Sequence, residues 1–182
     1  EPALVLATPG AEPVASEGYA AAVLLDADLL LARADLRATE EALRRWLAAV
    51  ALVRGAGDDG TVVLVGDPGA RAVQALVRLA PIGFAERELH DRAEAGFAPA
   101  TKLVGLEGTH EAVIEATRVL QADTGAGVLG PVPAAEGEFR ALLRAPLDRG
   151  QALVAAAKAV QAQRTAHKDD GSLRVSVDPA VV

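Results

Sequence analysis

Residues 61–65, which read Thr61-Val62-Val63-Leu64-Val65, decide the fold class of the first half of the chain. They form a short apolar run that ends at the turn Gly66-Asp67-Pro68-Gly69, a pattern typical of a strand buried on both faces. Residues 21–25 form a similar run that ends at Asp26. Two such strands separated by a helical segment predict a parallel sheet, covered on both faces, in an α/β unit.

The segment between these two runs predicts a helix from about Thr39 to Val53. Thr39 suits the N-cap position, and Glu40 and Glu41 would lie in the first turn, where carboxylates are favourable. Apolar residues at spacings of three and four give this helix one apolar face: Leu43, Trp46, Leu47, Val50 and Val53.

Three more segments complete the first half. A second helix is expected after Gly69, with Val73, Leu76 and Val77 as its apolar stripe. Residues 81–96 predict a connecting helix, because charged side chains are dense there and apolar ones few. Residues 2–7 are apolar and predict a strand. Since the chain starts with Glu1 and not with methionine, we expect a fragment of a longer protein.

The second half predicts the element order β-α-β-β-α-β. Strands are expected at residues 101–106, 127–129, 138–144 and 173–177, and helices after the N-cap Thr109 and over residues 149–166. This is the order of a ferredoxin-like α+β domain. The boundary between the two halves is therefore placed near residue 96.

Composition limits the classes of function. The chain has 182 residues, 51% of them hydrophobic, no cysteine and a net charge of −7. Thiolate zinc sites and disulfides are thus excluded within this sequence, and a reducing cytoplasm fits. No apolar run approaches the roughly 20 residues that span a bilayer, so no membrane association is expected. Because nucleic-acid-binding domains usually carry a positive balance, any DNA contact must come from a local patch.

Asp26 and Asp28 are candidates for a divalent-cation site, since they follow a buried strand at the end where α/β proteins place ligands. They can equally be solvated charges or helix caps. The glycine-containing loop at residues 8–13 lacks the spacing and the lysine of a phosphate-binding loop, so a structural turn is expected there. No metal site and no catalytic residue is predicted.

A group of basic residues is the remaining feature of the sequence that suggests a function. Arg140 and Arg144 are expected to share one face of a strand, and Arg149 and Lys158 follow on the last helix. Such side chains are candidates for contacts with DNA phosphates. A helix that carries solvated basic residues would show the same pattern, so both interpretations stay open.

Several segments, in order along the chain, resemble the C-terminal part of the primosomal protein N-prime (PriA) family of replication-restart helicases. Residues 24–28 (LLDAD) and 34–40 (ADLRATE) resemble the stretch after that family's helicase motif V. Residues 63–68 (VLVGDP) resemble its next strand, and residues 84–99 its F-x-x-x-E-L-x-x-R connector. Residues 128–133 (VLGPVP) and 175–179 (VSVDP) match its VLGP-x-P and closing V-D-P signatures.

The resemblance implies a RecA-like helicase lobe followed by a ferredoxin-like C-terminal domain. Residues 1–80 would be the C-terminal half of the second lobe, residues 81–96 a connecting helix, and residues 97–182 the family's C-terminal domain. Implied partners are branched or forked DNA, the single-stranded-DNA-binding protein and other primosome proteins. The family's ATP, magnesium and structural zinc sites would lie upstream of residue 1, so none is expected here.

The departures from the family bear on activity. Residues 7–15 lack the family's GTQM-x-x-KGHHF motif V, and residues 48–55 replace its QVAGRAGR motif VI. Two arginines of motif VI align with Leu52 and Gly55, neither of which can stabilise charge on a transferred phosphate. Arg54 lies one position from Gly55 and is the alternative candidate for the arginine that reaches the γ-phosphate.

The sequence therefore predicts a replication-restart protein that binds stalled forks, with a degenerate motif VI at Leu52, Arg54 and Gly55 and without helicase activity. One alternative is an active ATP-dependent 3′–5′ helicase that uses Arg54. The other is a purely protein-interacting module, which the acidic balance favours.

Overall fold

The chain divides into two compact units in the computed structural model, Glu1–Glu86 and Arg87–Val182. The structure describes residues 3–167 and 170–180. The division falls within a helix that spans Pro81–Ala95. Among the described residues, no helix is both long and apolar enough to cross a membrane. The predicted domain ranges and the connecting role of residues 81–96 stay predictions.

The first unit is a two-stranded parallel sheet with helices. Strands β1 (Ala21–Leu24) and β2 (Thr61–Leu64) pair in register from Ala21↔Thr61 to Leu24↔Leu64, which confirms the predicted parallel pairing. The helices are α1 (Ala27–Leu31), α2 (Ala38–Val50), α3 (Arg71–Val77) and the start of α4 (Pro81–Ala95), which belongs to the second unit from Arg87 onwards, and a 3₁₀ turn spans Ala56–Asp58. The first unit's core combines helical residues with partly buried Leu24 and Leu64: Ala27, Leu43, Trp46, Val73, Leu76 and Phe84.

Two expectations about the strands of this unit are wrong for the described residues. Val23 and Val63 are exposed while Leu24 and Leu64 are half-buried, so this sheet is covered on one face, not two. An apolar run does not by itself show that residues of this chain cover both of its faces. Residues 3–7 form no strand, and none of the described strands pairs with them. Residue 2 of that predicted strand lies outside the described residues.

Helix α2 begins and ends earlier than predicted. Arg37, not Thr39, occupies the N-cap position, and its backbone N–H donates to Asp35 Oδ1 at 2.7 Å. At the other end, Tyr19 N–H donates to the Leu52 carbonyl at 2.9 Å and Arg54 N–H donates to the Tyr19 carbonyl at 2.9 Å. The helix stops at Val50 because the backbone beyond it pairs with this distant segment.

The second unit has the predicted element order β-α-β-β-α-β. Its elements are β3 (Thr101–Gly108), α5 (His110–Thr124), β4 (Gly127–Pro133), β5 (Phe139–Pro146), α6 (Leu147–His167) and β6 (Leu173–Val177). The four strands form an antiparallel sheet in the order β4-β5-β3-β6. Thr109 lies at the N-cap of α5, as predicted. Edge strand β4 contains Pro131 and Pro133, which lack a backbone N–H.

One face of this sheet holds the core. Alternate residues of the two central strands, such as Val104, Leu106 and Leu143, pack against α5 and α6 and are fully buried. The intervening residues of the same strands lie on the opposite face. At Gly108 a Cβ atom would overlap the Ser172 carbonyl oxygen, so only glycine allows β6 to approach β3 here. We call the face opposite α5 and α6 the helix-free face. Leu103 and Leu142 on it are buried, whereas Glu107 and Arg140 are partly exposed.

A substitution of Thr117 tests the packing of this core. Its Oγ1 is buried on α5 without a hydrogen-bond partner among the described residues. We expect Thr117→Val, which keeps the β-branched shape and removes the unpaired hydroxyl, to stabilise the second unit by about 1 kcal/mol. The measurement is urea unfolding of the whole chain followed by circular dichroism.

Thr124→Val is the matched control for that prediction. Thr124 Oγ1 donates to the Leu120 carbonyl at 2.6 Å and accepts the Ala126 N–H, so its loss should destabilise by about 1 kcal/mol. Fluorescence of Trp46, the single tryptophan and a core residue of the first unit, should be unaffected by either change. Equal destabilisation by both variants would contradict the burial cost assigned to the Thr117 hydroxyl.

Glu41 gives the first unit a defined pH response. Arg44 Nη2 and Arg45 Nε lie 2.7 and 2.8 Å from its carboxylate, and hydrogen bonds from Arg44 and Arg45 lower the pKa of Glu41 from 4.5 to about 2. Because the pKa is lower in the folded state, this stabilisation is present above about pH 4.5 and is lost as the pH falls towards 2. Glu41→Gln should flatten the stability profile across that window, and added salt should do so in part. If Glu41→Gln lost stability over this pH range as steeply as the unaltered chain, the ion pairs of Glu41 with Arg44 and Arg45 would be contradicted.

Candidate nucleic-acid interface

The helix-free face of the second unit carries two of the predicted basic residues. Arg140 and Arg144 lie on β5, and the residues between them alternate between the two faces of the sheet. Ala141 and Leu143 belong to the core with α5 and α6, so Arg140 and Arg144 lie on the opposite face. The prediction that these two arginines share one face is confirmed.

Arg140 is part of a cluster that spans three strands. The Arg140 Nη2 and Nε atoms lie 3.0 and 3.3 Å from Glu107 Oε2 on β3. Arg174 on β6 donates from Nη2 to Glu107 Oε1 at 3.2 Å and to Glu138 Oε2 at 2.9 Å. We call Glu107, Glu138, Arg140 and Arg174 the sheet-face cluster. Its formal charge is balanced, with two carboxylates and two guanidinium groups.

Sequence reasoning did not single out Arg174. Its signal was present in the alternation Leu173-Arg174-Val175, which places the arginine on the face opposite two apolar residues. The pairing register that brings Arg174 beside Glu107 could not be derived, because β3 and β6 are separated by more than 60 residues of chain.

Arg144 has a different environment at the other end of β5. Its Nη1 atom lies 3.4 Å from the carbonyl oxygen of Ala95, the last residue of α4. A guanidinium group at this position satisfies a carbonyl that the helix leaves without an internal partner. Arg144 is exposed, so it combines a local structural contact with access to solvent.

Arg149 and Lys158 do not join these residues. Both are exposed on α6, which packs on the opposite face of the sheet, and neither contacts a partner among the described residues. They are nine positions apart in one helix, which places them on opposite sides of it at about 100° per residue. The structure thus places Arg140 and Arg144 on one face of the sheet, in separate environments, and Arg149 and Lys158 on the helix that covers the other face.

The motif VI positions lie beyond α2, next to the segment around Tyr19. The Arg54 Nε donates to the Glu17 carbonyl at 3.2 Å, and its Nη2 lies 3.9 Å from the Glu17 carboxylate. Leu52 is half-buried and contributes its carbonyl to Tyr19, while Gly55 is exposed. The guanidinium group of Arg54 is therefore directed at the chain's own Glu17.

The acidic residues after β1 form turn contacts. Asp28 Oδ1 accepts the Asp67 N–H at 3.0 Å, and Asp67 Oδ1 accepts the Gly69 N–H at 2.8 Å. Asp26 adopts the left-handed region with φ 57°, which aspartate tolerates better than most residues. Within the described ranges, no three acidic, histidine or cysteine side chains converge in a way that could hold a metal ion. The structural role for Asp28, as a cap of the turn at residues 66–69, is the one observed.

Comparison with known proteins supports the resemblance noted in the sequence. Residues 93–180 match the family model of the primosomal protein N C-terminal domain. The chain is 40% identical to "Probable replication restart protein PriA" of Mycobacterium leprae, over 98% of this chain and 29% of that protein. It is 42% identical to the protein of the same description from Mycobacterium tuberculosis, over 98% of this chain and 30% of that protein. The chain thus spans less than a third of the length of these relatives.

Proposed function

Because this chain is a PriA C-terminal-like protein, we propose that it acts in replication restart as a module that binds branched or forked DNA and has no helicase activity. The observation that carries the proposal is the similarity to proteins described as replication restart proteins over nearly the whole chain. The single-stranded-DNA-binding protein and other primosome proteins are the protein partners of this proposal.

The architecture proposed with it has two parts. The first unit, with its parallel β1–β2 pair and helical layer, is the end of a RecA-like lobe. The second unit is a ferredoxin-like domain, which its element order and the strand order β4-β5-β3-β6 support. On the face opposite α5 and α6, Leu103 and Leu142 are buried, and the end that carries Arg140 and Arg174 is the part that could meet a ligand.

The environment of motif VI supports the absence of a motor. Leu52 and Gly55, which align with two arginines of motif VI, carry no cation. An arginine that reaches the γ-phosphate is worth about 10³-fold or more in rate, so its loss would abolish useful ATP hydrolysis.

The loop at residues 8–13 also fits ATP poorly. Phosphate-binding loops present free backbone N–H groups to the anion. Here the Gly10 N–H donates to both carboxylate oxygens of Glu12, at 3.0 and 2.9 Å. The amide is already occupied, and the carboxylate would repel a phosphate. We therefore derive no ATP-dependent step from these residues.

A protein-interaction module is the second candidate, and the net charge of −7 favours it. A surface of that charge repels DNA at long range, so nucleic-acid contact would depend on a local site. The two candidates differ in one measurable property, which is salt-sensitive affinity for DNA.

We expect the 182-residue chain to bind a fluorescent forked duplex at about 50 mM salt and to lose affinity towards about 200 mM, because each phosphate contact releases counterions. Fluorescence anisotropy measures both affinity and salt slope, with an unbranched duplex of equal length as control. No binding at the lower salt concentration, together with capture of purified primosome proteins, would reject the DNA-binding proposal in favour of the interaction module.

In the full-length gene product, we expect no DNA-stimulated ATP hydrolysis. We also expect Arg54→Ala to leave the background rate of ATP hydrolysis unchanged. The physical reason is that the two arginines of motif VI are replaced by Leu52 and Gly55. The exposed Arg33 of the same unit provides the matched control, Arg33→Ala. DNA-stimulated turnover that survives Arg33→Ala but disappears with Arg54→Ala would establish the helicase alternative.

A further inference from the structure

Two arginines of the sheet-face cluster flank one carboxylate in a single row across the sheet. Glu107 on β3 is paired in register with Arg140 on β5 and with Arg174 on β6. Each guanidinium binds a different oxygen of Glu107, Arg140 at Oε2 and Arg174 at Oε1. The carboxylate therefore holds both cations on the same face, about two strand spacings or ~10 Å apart at the backbone.

These contacts leave donors unused. A guanidinium group has five N–H donors on three nitrogens. Arg174 uses only Nη2, and Arg140 uses Nε and Nη2, so Nη1 of both residues and Nε of Arg174 have no partner among the described residues. The Arg174 side chain is 67% exposed, compared with 28% for Arg140. Arg174 is the more accessible of two arginines that are already held in place.

Fixed guanidinium groups with free N–H donors suit an oxyanion. Arginine matches phosphate geometry with two parallel hydrogen bonds, and donors that are already positioned lose less entropy on binding. Base recognition on a sheet face usually needs aromatic side chains for stacking. The strand residues on this face include none: Thr101, Leu103, Gly105, Glu107, Gly127, Leu129, Val132, Arg140, Leu142, Arg144, Pro146, Arg174 and Ser176. The chemistry of the face fits a phosphodiester backbone and not a base.

We propose that Arg174, together with Arg140, contacts a backbone phosphate of the bound DNA on the helix-free face, with Glu107 as the residue that positions both. This inference rests on the proposed function and names its contact surface. The cluster is charge-neutral, so the contact depends on the fixed geometry of the donors and not on a positive field. Arg149 and Lys158, on the opposite side of the sheet, are not part of it.

The test uses the full chain and the labelled forked duplex. Arg174→Gln should weaken binding about five- to tenfold at about 50 mM salt and reduce the salt slope by about 1, and Arg140→Gln should act in the same direction. The matched control is Arg118→Gln, which removes an exposed arginine without a described partner from α5, on the opposite face. The control should bind within about twofold of the unaltered chain.

Arg174→Lys separates a loss of specific contacts from a loss of folding, because it keeps the positive charge and removes the planar set of guanidinium donors. We expect it to retain the salt slope and to recover only part of the affinity lost in Arg174→Gln. Equal affinity of Arg174→Gln and Arg118→Gln, in a chain that does bind the fork, would overturn this inference and leave the proposed function standing. Failure of the unaltered chain to bind the fork would instead overturn the proposed function.

Discussion

The second unit depends on the central position of β3, which is hydrogen-bonded to β5 on one side and to β6 on the other. In this position, alternate side chains of β3 lie on opposite faces of the sheet, one of which holds the core. The two sets cannot exchange faces unless the pairing register shifts by one residue. Val104 and Leu106 are fully buried against the helices, while Glu107 lies on the other face as part of the sheet-face cluster. The apolar core thus fixes which charged residues meet on the other face, and their distances follow from the backbone pairing.

Much of the fold could be predicted from the sequence, since local pattern carries it. Apolar runs gave β1 and β2, and the spacing of Leu43, Trp46 and Val50 gave α2. The errors occur where contacts with distant chain segments determine whether an element forms and where it ends. Helix α2 ends at Val50 because residues beyond it pair with Tyr19. The apolar residues 3–7 form no strand, and no described strand pairs with them. No local pattern contains that information.

The candidate site was predicted less completely. The shared face of Arg140 and Arg144 follows from the two-residue period of a strand, which is a local property. The partners of the arginines are not local: Glu107 is 33 positions from Arg140 and 67 from Arg174. A count of basic residues therefore could not separate cations that are held by carboxylates from those, such as Lys158, that are simply solvated.

The two outer strands of the second unit differ in their capacity to accept another strand. Edge strand β4 lacks two backbone donors, because Pro131 and Pro133 lie within it. Edge strand β6 contains no proline over Leu173–Val177. Because an incoming strand needs free backbone donors, β4 is the less receptive edge of this sheet, and its prolines oppose strand pairing between copies there.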